Sequence, residues 1–353
     1  MNLGVLDQPV YGISQRDKES QLGKALWELT DHHRRSCVPY DRLCNRLSVG
    51  KGGPIDMLPW LPVRLFKEHD LRSIPDDAVF RVLTSSGTTG ASVSRIALDV
   101  DAASMHSSLL ARTLGQVLGP QRLPMLVIDS KSVTRGKSFS ARGAGVLGMM
   151  NFGRKYAFAL DDDLAFDGEA VRKFLRQFGT KPFLIFGFTF MAWEYLRQAG
   201  ELGDVDLSNG VLIHSGGWKK MQEQAVDATV FRSELASRFG LRQIYNFYGM
   251  VEQIGTIYLE SPEGDGSLCC PSFADIIIRD PVTFEPVPDG TVGLIQTVSL
   301  SPRSYPGHSL LTEDLGVIVG RDDNAWMGKR FIVKGRLPRA EARGCSDTFA
   351  SRS

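Results

Sequence analysis

Between Phe80 and Phe239 the chain alternates short apolar runs with longer segments of helical periodicity, and no other feature constrains its fold as strongly. Strands are predicted at Phe80–Thr84, Met125–Ile128, Pro182–Phe186 and Gly210–His214. Helices are predicted at Val100–Leu118, Gly168–Phe178, Phe190–Gln198 and Met221–Phe239. Strands that alternate with helices indicate an α/β fold with a largely parallel sheet.

The two ends of the chain differ from this central region. Leu22, Leu26 and Leu29 have the spacing of one helical face, whereas the chain after about residue 270 consists of short strands and turns, such as "ADIIIRD" and "VGLIQTVSL". We therefore predict an N-terminal helical segment over residues 1–75, an α/β core over 76–270, a β-rich subdomain over 271–335 and a short C-terminal tail over 336–353. No flexible linker separates these parts, so one compact unit is expected.

Charge and hydropathy exclude several classes of protein. The 353 residues carry 41 basic and 40 acidic side chains, a net charge of +1, which gives no basic field for non-specific nucleic-acid binding. The most apolar stretch, Phe183–Trp193, is far shorter than the roughly 20 residues of a membrane-spanning helix. The first residues, "MNLGVLDQPVYG", lack the features of a signal peptide. A cytoplasmic protein without a membrane span is expected.

The cysteine pattern indicates free thiols. The five cysteines are Cys37, Cys44, Cys269, Cys270 and Cys345. An odd number with two adjacent members is a poor disulfide framework, and no pair has the spacing of a zinc knuckle. The first four are predicted to be buried, whereas Cys345 lies in the polar C-terminal sequence "EARGCSDTFASRS" and is predicted to be accessible, as a reactive thiol must be.

An apolar run ends at Thr84 in six small residues, "SSGTTG", over Ser85–Gly90. Glycines let successive backbone N–H groups point into one concavity that attracts phosphate oxygens, and the hydroxyls add donors without bulk. The segment that follows, "ASVSRIALDV", is predicted to be a strand, so the loop would join a hairpin. A phosphate-binding loop is favoured over a solvent turn, with six candidate residues: Ser85, Ser86, Gly87, Thr88, Thr89 and Gly90.

Two further glycine motifs do not fit nucleotide binding. Gly136–Ser138 resembles the end of a P-loop, but Lys131 stands where that motif needs a glycine. Gly143–Gly148 satisfies G-x-G-x-x-G, but "SFSAR" before it is no buried strand. We predict a small-residue helix or turn there.

The hexamer and four other segments together resemble the adenylate-forming enzymes, which include acyl-CoA ligases and luciferases. The other segments are "HSGGWKK" over His214–Lys220, "NFYGMVE" over Asn246–Glu252, "LLTEDLG" over Leu310–Gly316 and "VKGR" over Val333–Arg336. The resemblance implies the large N-terminal domain of that superfamily, with residues 76–270 as the nucleotide-binding core.

Roles follow from this resemblance position by position. Gly216 and Gly217 would lie against adenine, and Tyr248, followed by Gly249, would stack on it. Glu252 would help to hold Mg²⁺, Asp314 would bind the ribose hydroxyls, and Arg336 would bind ribose or phosphate. Each residue type suits its role without the resemblance, because aromatic faces hold planar bases and carboxylates bind hydroxyls and Mg²⁺.

The segments "FGFTF", "GGWKK" and "YGMVEQ" narrow the resemblance to the acyl-protein synthetases of bacterial bioluminescence, the fatty acid–luciferin-component ligases. These enzymes activate a fatty acid with ATP, take the acyl group onto a cysteine near their C-terminus and pass it to a partner acyl reductase. Cys345 matches that cysteine.

Two departures from the superfamily pattern stand out. Only residues 337–353 follow Arg336, so its mobile C-terminal domain and catalytic lysine are expected to be absent, and CoA is a doubtful acceptor. Four basic residues are candidates to meet the charge on the α-phosphate instead: Lys219, Arg142, Arg336 and Arg343. Val251 replaces a threonine, which removes one hydroxyl near the phosphate.

The favoured hypothesis is an ATP- and Mg²⁺-dependent acid–thiol ligase with Cys345 as acceptor. A second hypothesis keeps the acyl-adenylate but delivers the acyl group to a carrier protein, an amine or CoA. A third is a nucleotide-binding protein that has lost its chemistry. Phe183–Trp193 could line an acyl pocket, although core packing explains that stretch almost as well. The identity of the acid and any homo-oligomerisation stay open.

Overall fold

The computed structural model describes residues 4–85, 93–135, 141–199, 203, 205–218 and 225–337. Helices in this part of the chain are α1 (Gly4–Asp7), α2 (Gln15–Ser36), α3 (Val38–Arg46), α4 (Leu65–Glu68), α5 (Val100–Leu118), α6 (Ala141–Met150), α7 (Gly168–Phe178), α8 (Thr189–Ala199) and α9 (Ala228–Phe239). Strands are β1 (Leu61–Pro62), β2 (Arg81–Thr84), β3 (Arg95–Leu98), β4 (Leu123–Ser130), β5 (Gly153–Leu160), β6 (Phe183–Phe188), β7 (Gly210–Ser215), β8 (Gln243–Tyr248), β9 (Tyr258–Glu260), β10 (Leu268–Cys269), β11 (Ala274–Arg279), β12 (Gly293–Ser299), β13 (Ser309–Arg321) and β14 (Lys329–Arg336).

One mixed sheet of 12 strands runs through the molecule, and its two halves differ in strand direction. The parallel half has the order β5-β4-β6-β7-β8, in which every neighbouring pair is parallel. From β8 the sheet continues as β9-β10-β14-β13-β12-β11, in which every neighbouring pair is antiparallel, and β1 pairs with β13. The predicted mixed α/β fold is confirmed.

Two hydrophobic clusters cover opposite faces of the parallel half. Val211 and Ile213 of β7 belong to one cluster together with Val146 of α6, whereas Leu212 belongs to the other together with Leu235 of α9. Helices α7 and α8 also pack on this second face. Burial on both faces explains why these strands read as continuous apolar runs in the sequence.

The order of the parallel strands creates a switch point. Chain direction across the sheet reverses after β4, because β5 lies on one side of it and β6 on the other. The crevice outside the carboxyl ends of strands at such a point is where open α/β sheets bind ligands. The ends of β4, β6, β7 and β8 are therefore the expected location of a ligand site.

Helix α2 fastens the N-terminal segment to the antiparallel half. Its N-cap is Ser14, whose side chain accepts a hydrogen bond from the backbone N–H of Asp17. Buried Lys18 lies 3.6 Å from an oxygen of Asp275 on β11. Leu22 and Leu26 of α2 also share a hydrophobic cluster with Ile277 of β11, so the N-terminal segment packs on the antiparallel half.

The predicted elements are found with one clear correction. Helices α5 and α7 have the predicted bounds, and the strand predicted after "SSGTTG" is β3. The helix predicted from Met221 instead begins at Ala228, because Asp227 caps it by accepting a hydrogen bond from the backbone N–H of Val230. Residues 219–224 lie outside the described chain. Gly143–Gly148 lies in helix α6, as predicted.

The strands predicted after residue 270 are β11 to β14, and they continue the central sheet through β10. The division at residues 75, 270 and 335 stays a prediction. No helix among the described residues is both long and apolar enough to cross a membrane.

Candidate functional site

The base of the hydroxyl-rich loop is a hairpin closed by two serines. The backbone N–H of Ser85 donates to the carbonyl of Ser94 at 3.1 Å, and the backbone N–H of Ser94 donates to the Ser85 hydroxyl at 2.8 Å. The other loop candidates, Ser86–Gly90, lie outside the described residues.

Ser94 connects this hairpin to Glu252. Its buried hydroxyl donates to Oε1 of Glu252, a residue 158 positions later in the sequence. Only 6% of Glu252 is exposed, and burial raises the pKa of its carboxyl, against the lowering effects of the Ser94 hydroxyl, Lys67 and Arg336. The predicted magnesium carboxylate therefore lies beside the base of the hairpin from which the predicted phosphate loop starts.

A second group of predicted residues meets at Asp314. The hydroxyl of Tyr248 donates to Oδ2 of Asp314 at 2.7 Å, and Nε of Arg336 donates to Oδ1 at 2.9 Å. Asp314 and Arg336 are opposite each other in the β13–β14 ladder. Burial and the adjacent Asp314 carboxylate raise the pKa of Tyr248 well above its ordinary value, so its hydroxyl remains a hydrogen-bond donor.

The segment Tyr248–Glu252 links the two groups. Tyr248 ends β8, and Glu252 lies in the short 3-10 helix Val251–Gln253. Between them, a Cβ on Gly249 would lie 3.2 Å from the carbonyl oxygen of Thr256, which leaves little room for a side chain. This segment therefore places the two groups next to each other in the chain, and the charge of Arg336 has a small lowering effect on the pKa of Glu252.

A cavity of about 100 Å³ lies beside β7 and β8. Its lining residues include His214, Trp218, Phe231, Arg232, Asn246 and Glu260. Oδ1 of Asn246 is buried and accepts no hydrogen bond from any described residue. Gly216, with a positive φ of 85°, and Gly217 follow β7 and lead to Trp218. The cavity thus offers flat aromatic rings and an unused amide acceptor.

Arg142 occupies a different position from Arg336. It lies in the first turn of α6, and its Nε is 3.2 Å from Oδ2 of Asp129 at the end of β4. The structure thus brings Ser85, Tyr248, Gly249, Glu252, Asp314 and Arg336 together, and holds Arg142 in a separate buried ion pair. Lys219, Arg343 and Cys345 lie outside the described residues.

Sequence reasoning missed four polar residues around the site. Ser94, Lys67 and Asn246 act on or beside the predicted residues, and Asp129 pairs with Arg142. Asn246 and Ser94 stood within segments that were already singled out, so their polar side chains were a usable signal. The role of Lys67 depends on how α4 packs, which no local pattern shows.

The family model for LuxE, acyl-protein synthetase, matches residues 2–352. The chain belongs to the LuxE acyl-protein synthetase family. It is therefore a ligase that uses ATP to form an acyl-adenylate, and the predicted resemblance is confirmed at the level of the family.

Two curated relatives of this LuxE-family protein share one name with each other. The long-chain-fatty-acid–luciferin-component ligase of Vibrio harveyi is 26% identical over 94% of this chain and 87% of its own length. The ligase of the same name from Aliivibrio fischeri is 24% identical over 84% of this chain and 79% of its own length.

Solved structures confirm the fold of the LuxE-family protein. An open conformation of 2-hydroxyisobutyryl-CoA ligase in complex with 2-HIB-AMP and CoA gives a TM-score of 0.71 at 14% identity, covering 94% of this chain and 78% of that one. ATP-bound MatB from Rhodopseudomonas palustris gives a TM-score of 0.50 at 15% identity, covering 75% of this chain and 49% of that one.

Proposed function

We propose that this LuxE-family protein activates a long-chain fatty acid as its acyl-adenylate and transfers the acyl group to the thiol of Cys345. The observation that carries the proposal is the Ser94–Glu252 hydrogen bond, because it brings the base of the phosphate loop to the segment that starts at Tyr248. The names of the curated relatives support a fatty acid as the substrate class.

The nucleotide would lie across the ends of β7 and β8. Adenine would stack on Tyr248 beside Gly216 and Gly217, and its exocyclic amine is the kind of donor that the buried Oδ1 of Asn246 lacks. The ribose hydroxyls would replace Tyr248 and Arg336 as partners of the Asp314 carboxylate. The phosphates would extend towards Ser85 and the loop Ser86–Gly90.

Glu252 fits the magnesium role predicted for it. Mg²⁺ in nucleotide enzymes is commonly bound through one or two carboxylates together with substrate phosphates and water. Among the described residues no cluster of three acidic, histidine or cysteine side chains could hold a metal by itself, which fits such a shared site. When bound, Mg²⁺ would neutralise phosphate charge, while Ser94 fixes the orientation of the Glu252 carboxylate.

The first step would be an in-line displacement at phosphorus. A carboxylate oxygen of the acid bonds to the α-phosphorus of ATP, and the bond from that phosphorus to the bridging oxygen of pyrophosphate breaks. The protein contributes alignment and charge neutralisation rather than covalent chemistry. Arg336 is the described cation nearest to the proposed ribose site, and Lys219 and Arg343 remain proposed contributors.

The second step would be thiolysis of the mixed anhydride. The Cys345 thiolate bonds to the acyl carbon, and the bond from that carbon to the AMP oxygen breaks, which leaves a thioester and AMP. The other four cysteines are poor candidates, since all are buried and burial raises the pKa of each thiol, that of Cys269 to about 12. An acyl reductase is the partner class that would consume the thioester.

Replacing Cys345 by Ser tests the acceptor. Cys345→Ser is expected to retain ATP–pyrophosphate exchange with a long-chain fatty acid, but to lose a protein-bound acyl label that neutral hydroxylamine releases. Cys269→Ala is the matched control and should keep the label. If Cys345→Ser keeps the label, or if no fatty acid supports exchange in the unaltered protein, the proposal is wrong.

A further inference from the structure

The ion pair between Asp129 and Arg142 does not belong to the group of residues around Glu252 and Asp314. It lies at the switch point of the parallel half. Asp129 is the penultimate residue of β4, and β6 lies beside β4 in the sheet. Ligands of open α/β sheets bind outside the carboxyl ends of the strands at such a point. The pair therefore stands where the fold itself favours a ligand.

The pair is buried but poorly satisfied. Asp129 is fully buried and only 9% of Arg142 is exposed. Although Nε and Oδ2 are 3.2 Å apart, neither these atoms nor Nη1 of Arg142 makes a hydrogen bond of good geometry with any described residue. Buried charges are normally retained only with well-made hydrogen bonds. Two N–H groups of Arg142 depart from that rule, since they lack an acceptor among the described residues.

The environment of Asp129 agrees with this poor match. Burial raises the pKa of its carboxyl to about 6, and the nearby Arg142 charge and the backbone N–H of Ser130 only partly offset that effect. A well-matched arginine would lower the pKa instead. Asp129 is thus a weak partner, and Arg142 has unused capacity to bind another carboxylate.

The position of Arg142 suits an acid on its way to the nucleotide. Between β4 and β7 lies only β6, so at the usual strand spacing their ends are roughly 10 Å apart. Gly216 and Gly217, which would lie against the base, follow β7. Arg142 keeps 9% of its surface exposed whereas Asp129 has none, so of the two partners only Arg142 borders the outside of the core.

We propose that Arg142 is the residue that binds the carboxylate of the acid substrate, and that Asp129 holds the guanidinium only until the acid replaces it. This inference rests on the proposed function, since it assigns a binding residue to the same reaction. The planar guanidinium presents parallel N–H donors that match a carboxylate in bidentate geometry. Asp129 is then a competing ligand within the chain.

Competition predicts opposite effects for the two partners. Arg142→Gln should weaken binding of a long-chain fatty acid by about tenfold or more, because the charge-assisted hydrogen bonds are lost. Asp129→Asn should tighten binding several-fold, because the acid no longer displaces an anion. The measurement is the Kd of a fluorescent long-chain fatty acid, with and without a non-hydrolysable ATP analogue.

Arg330→Gln is the matched control. The Arg330 side chain is as exposed as that of Arg142, at 10%, and pairs with Asp265 and Asp323 in the antiparallel half. Its replacement should leave the Kd of the acid unchanged. Arg142→Lys serves as the second variant if Arg142→Gln fails to fold, and should weaken binding less than a neutral side chain would.

Two results would overturn the inference. If both Asp129→Asn and Arg142→Gln weaken acid binding, the pair is structural. If Arg142→Gln leaves the Kd unchanged but slows ATP–pyrophosphate exchange at saturating acid, Arg142 acts on phosphate instead. Failure of exchange in the unaltered protein would refute the proposed function, and the signs of the two binding effects would still be readable.

Discussion

The two halves of the sheet each bury an ionic cluster, and the clusters have opposite character. In the antiparallel half, Asp275 lies 3.6 Å from Nζ of Lys18 and 3.2 Å from Nζ of Lys329. It also accepts hydrogen bonds from the side chain of Gln15 and the backbone of Ile276. These partners overcome burial and lower the pKa of Asp275 to about 2.

In the parallel half, Asp129 has one arginine and its pKa is raised, although the two carboxylates are buried to the same extent. Burial disfavours both charges, and the difference lies first in the two lysine charges beside Asp275 and then in its additional hydrogen bonds. A fully satisfied cluster fastens helix α2 to β11, whereas an unsatisfied one is free to exchange partners. We infer that the antiparallel half supports the fold and the ends of the parallel half are left reactive.

The largest expected effect is on stability. Asp275→Asn should lower the free energy of unfolding by about 3–5 kcal/mol, because it leaves buried Lys18 without its counter-ion and buried Lys329 with only Glu19, at 3.7 Å. Asp129→Asn should be neutral or stabilising at pH 7, since the ionised carboxyl is less favourable in the folded protein than in the unfolded chain. Urea unfolding of both variants at pH 7 measures the contrast. Equal losses of unfolding free energy in the two variants would show that the two ionic clusters do not differ in their contribution to stability.

Sequence predicted the elements of the fold best where local signals were complete. Helix α7 was predicted to the residue, since Asp167 caps its start and Gly179 follows its end. Strand β8, "QIYNFY", was missed, because most of its residues are only half-buried and it shows no apolar alternation. Its place in the sheet depends on pairing with β7 and β9.

The candidate site shows the same limit. Tyr248, Glu252, Asp314 and Arg336 stand in short motifs, so each could be singled out from its neighbours. The bond from Ser94 to Glu252 and the ion pair from Lys18 to Asp275 join residues far apart in the sequence. Such contacts depend on register and packing, and no local pattern in a single sequence reveals them.

A smaller effect is expected from pH, and it should come from buried histidines in both halves: three beside the antiparallel half, and His214 on β7, whose pKa burial lowers to about 3. The rings of His33 and His308 stack between α2 and the antiparallel half, with their centroids 4.9 Å apart. Nε2 of His106 contacts the carbonyl of Ser301. Burial lowers the pKa of all three, that of His308 to about 3. Unfolding therefore takes up protons below the ordinary histidine value of about 6.5, and stability falls as pH decreases from there.

Removing one of these rings tests the assignment. Between pH 6.5 and pH 5, each histidine that stays neutral in the folded protein should contribute a loss of about 2 kcal/mol. His308→Asn should therefore reduce proton uptake on unfolding by about one, as measured from the pH dependence of urea unfolding. An unchanged uptake in His308→Asn would mean that this ring is protonated in the folded protein.

The smallest expected effect is on the metal dependence of the reaction, and two buried hydroxyls test it. Ser94 lies directly before β3, whereas Thr30 lies in α2. Ser94→Ala removes the donor to Glu252 and should raise the Mg²⁺ concentration for half-maximal ATP–pyrophosphate exchange by about tenfold, since hydrogen bonds to charged groups are worth about 1.5–3 kcal/mol. Direct titration of Mn²⁺ onto the protein–ATP complex by electron paramagnetic resonance should show the same weakening. Thr30→Ala removes a 2.9 Å hydrogen bond to His308 and should lower stability without changing the metal dependence. A shift in metal dependence with Thr30→Ala as large as that with Ser94→Ala would show that any loosening of the core disturbs Glu252, and that Ser94 has no specific role in orienting it.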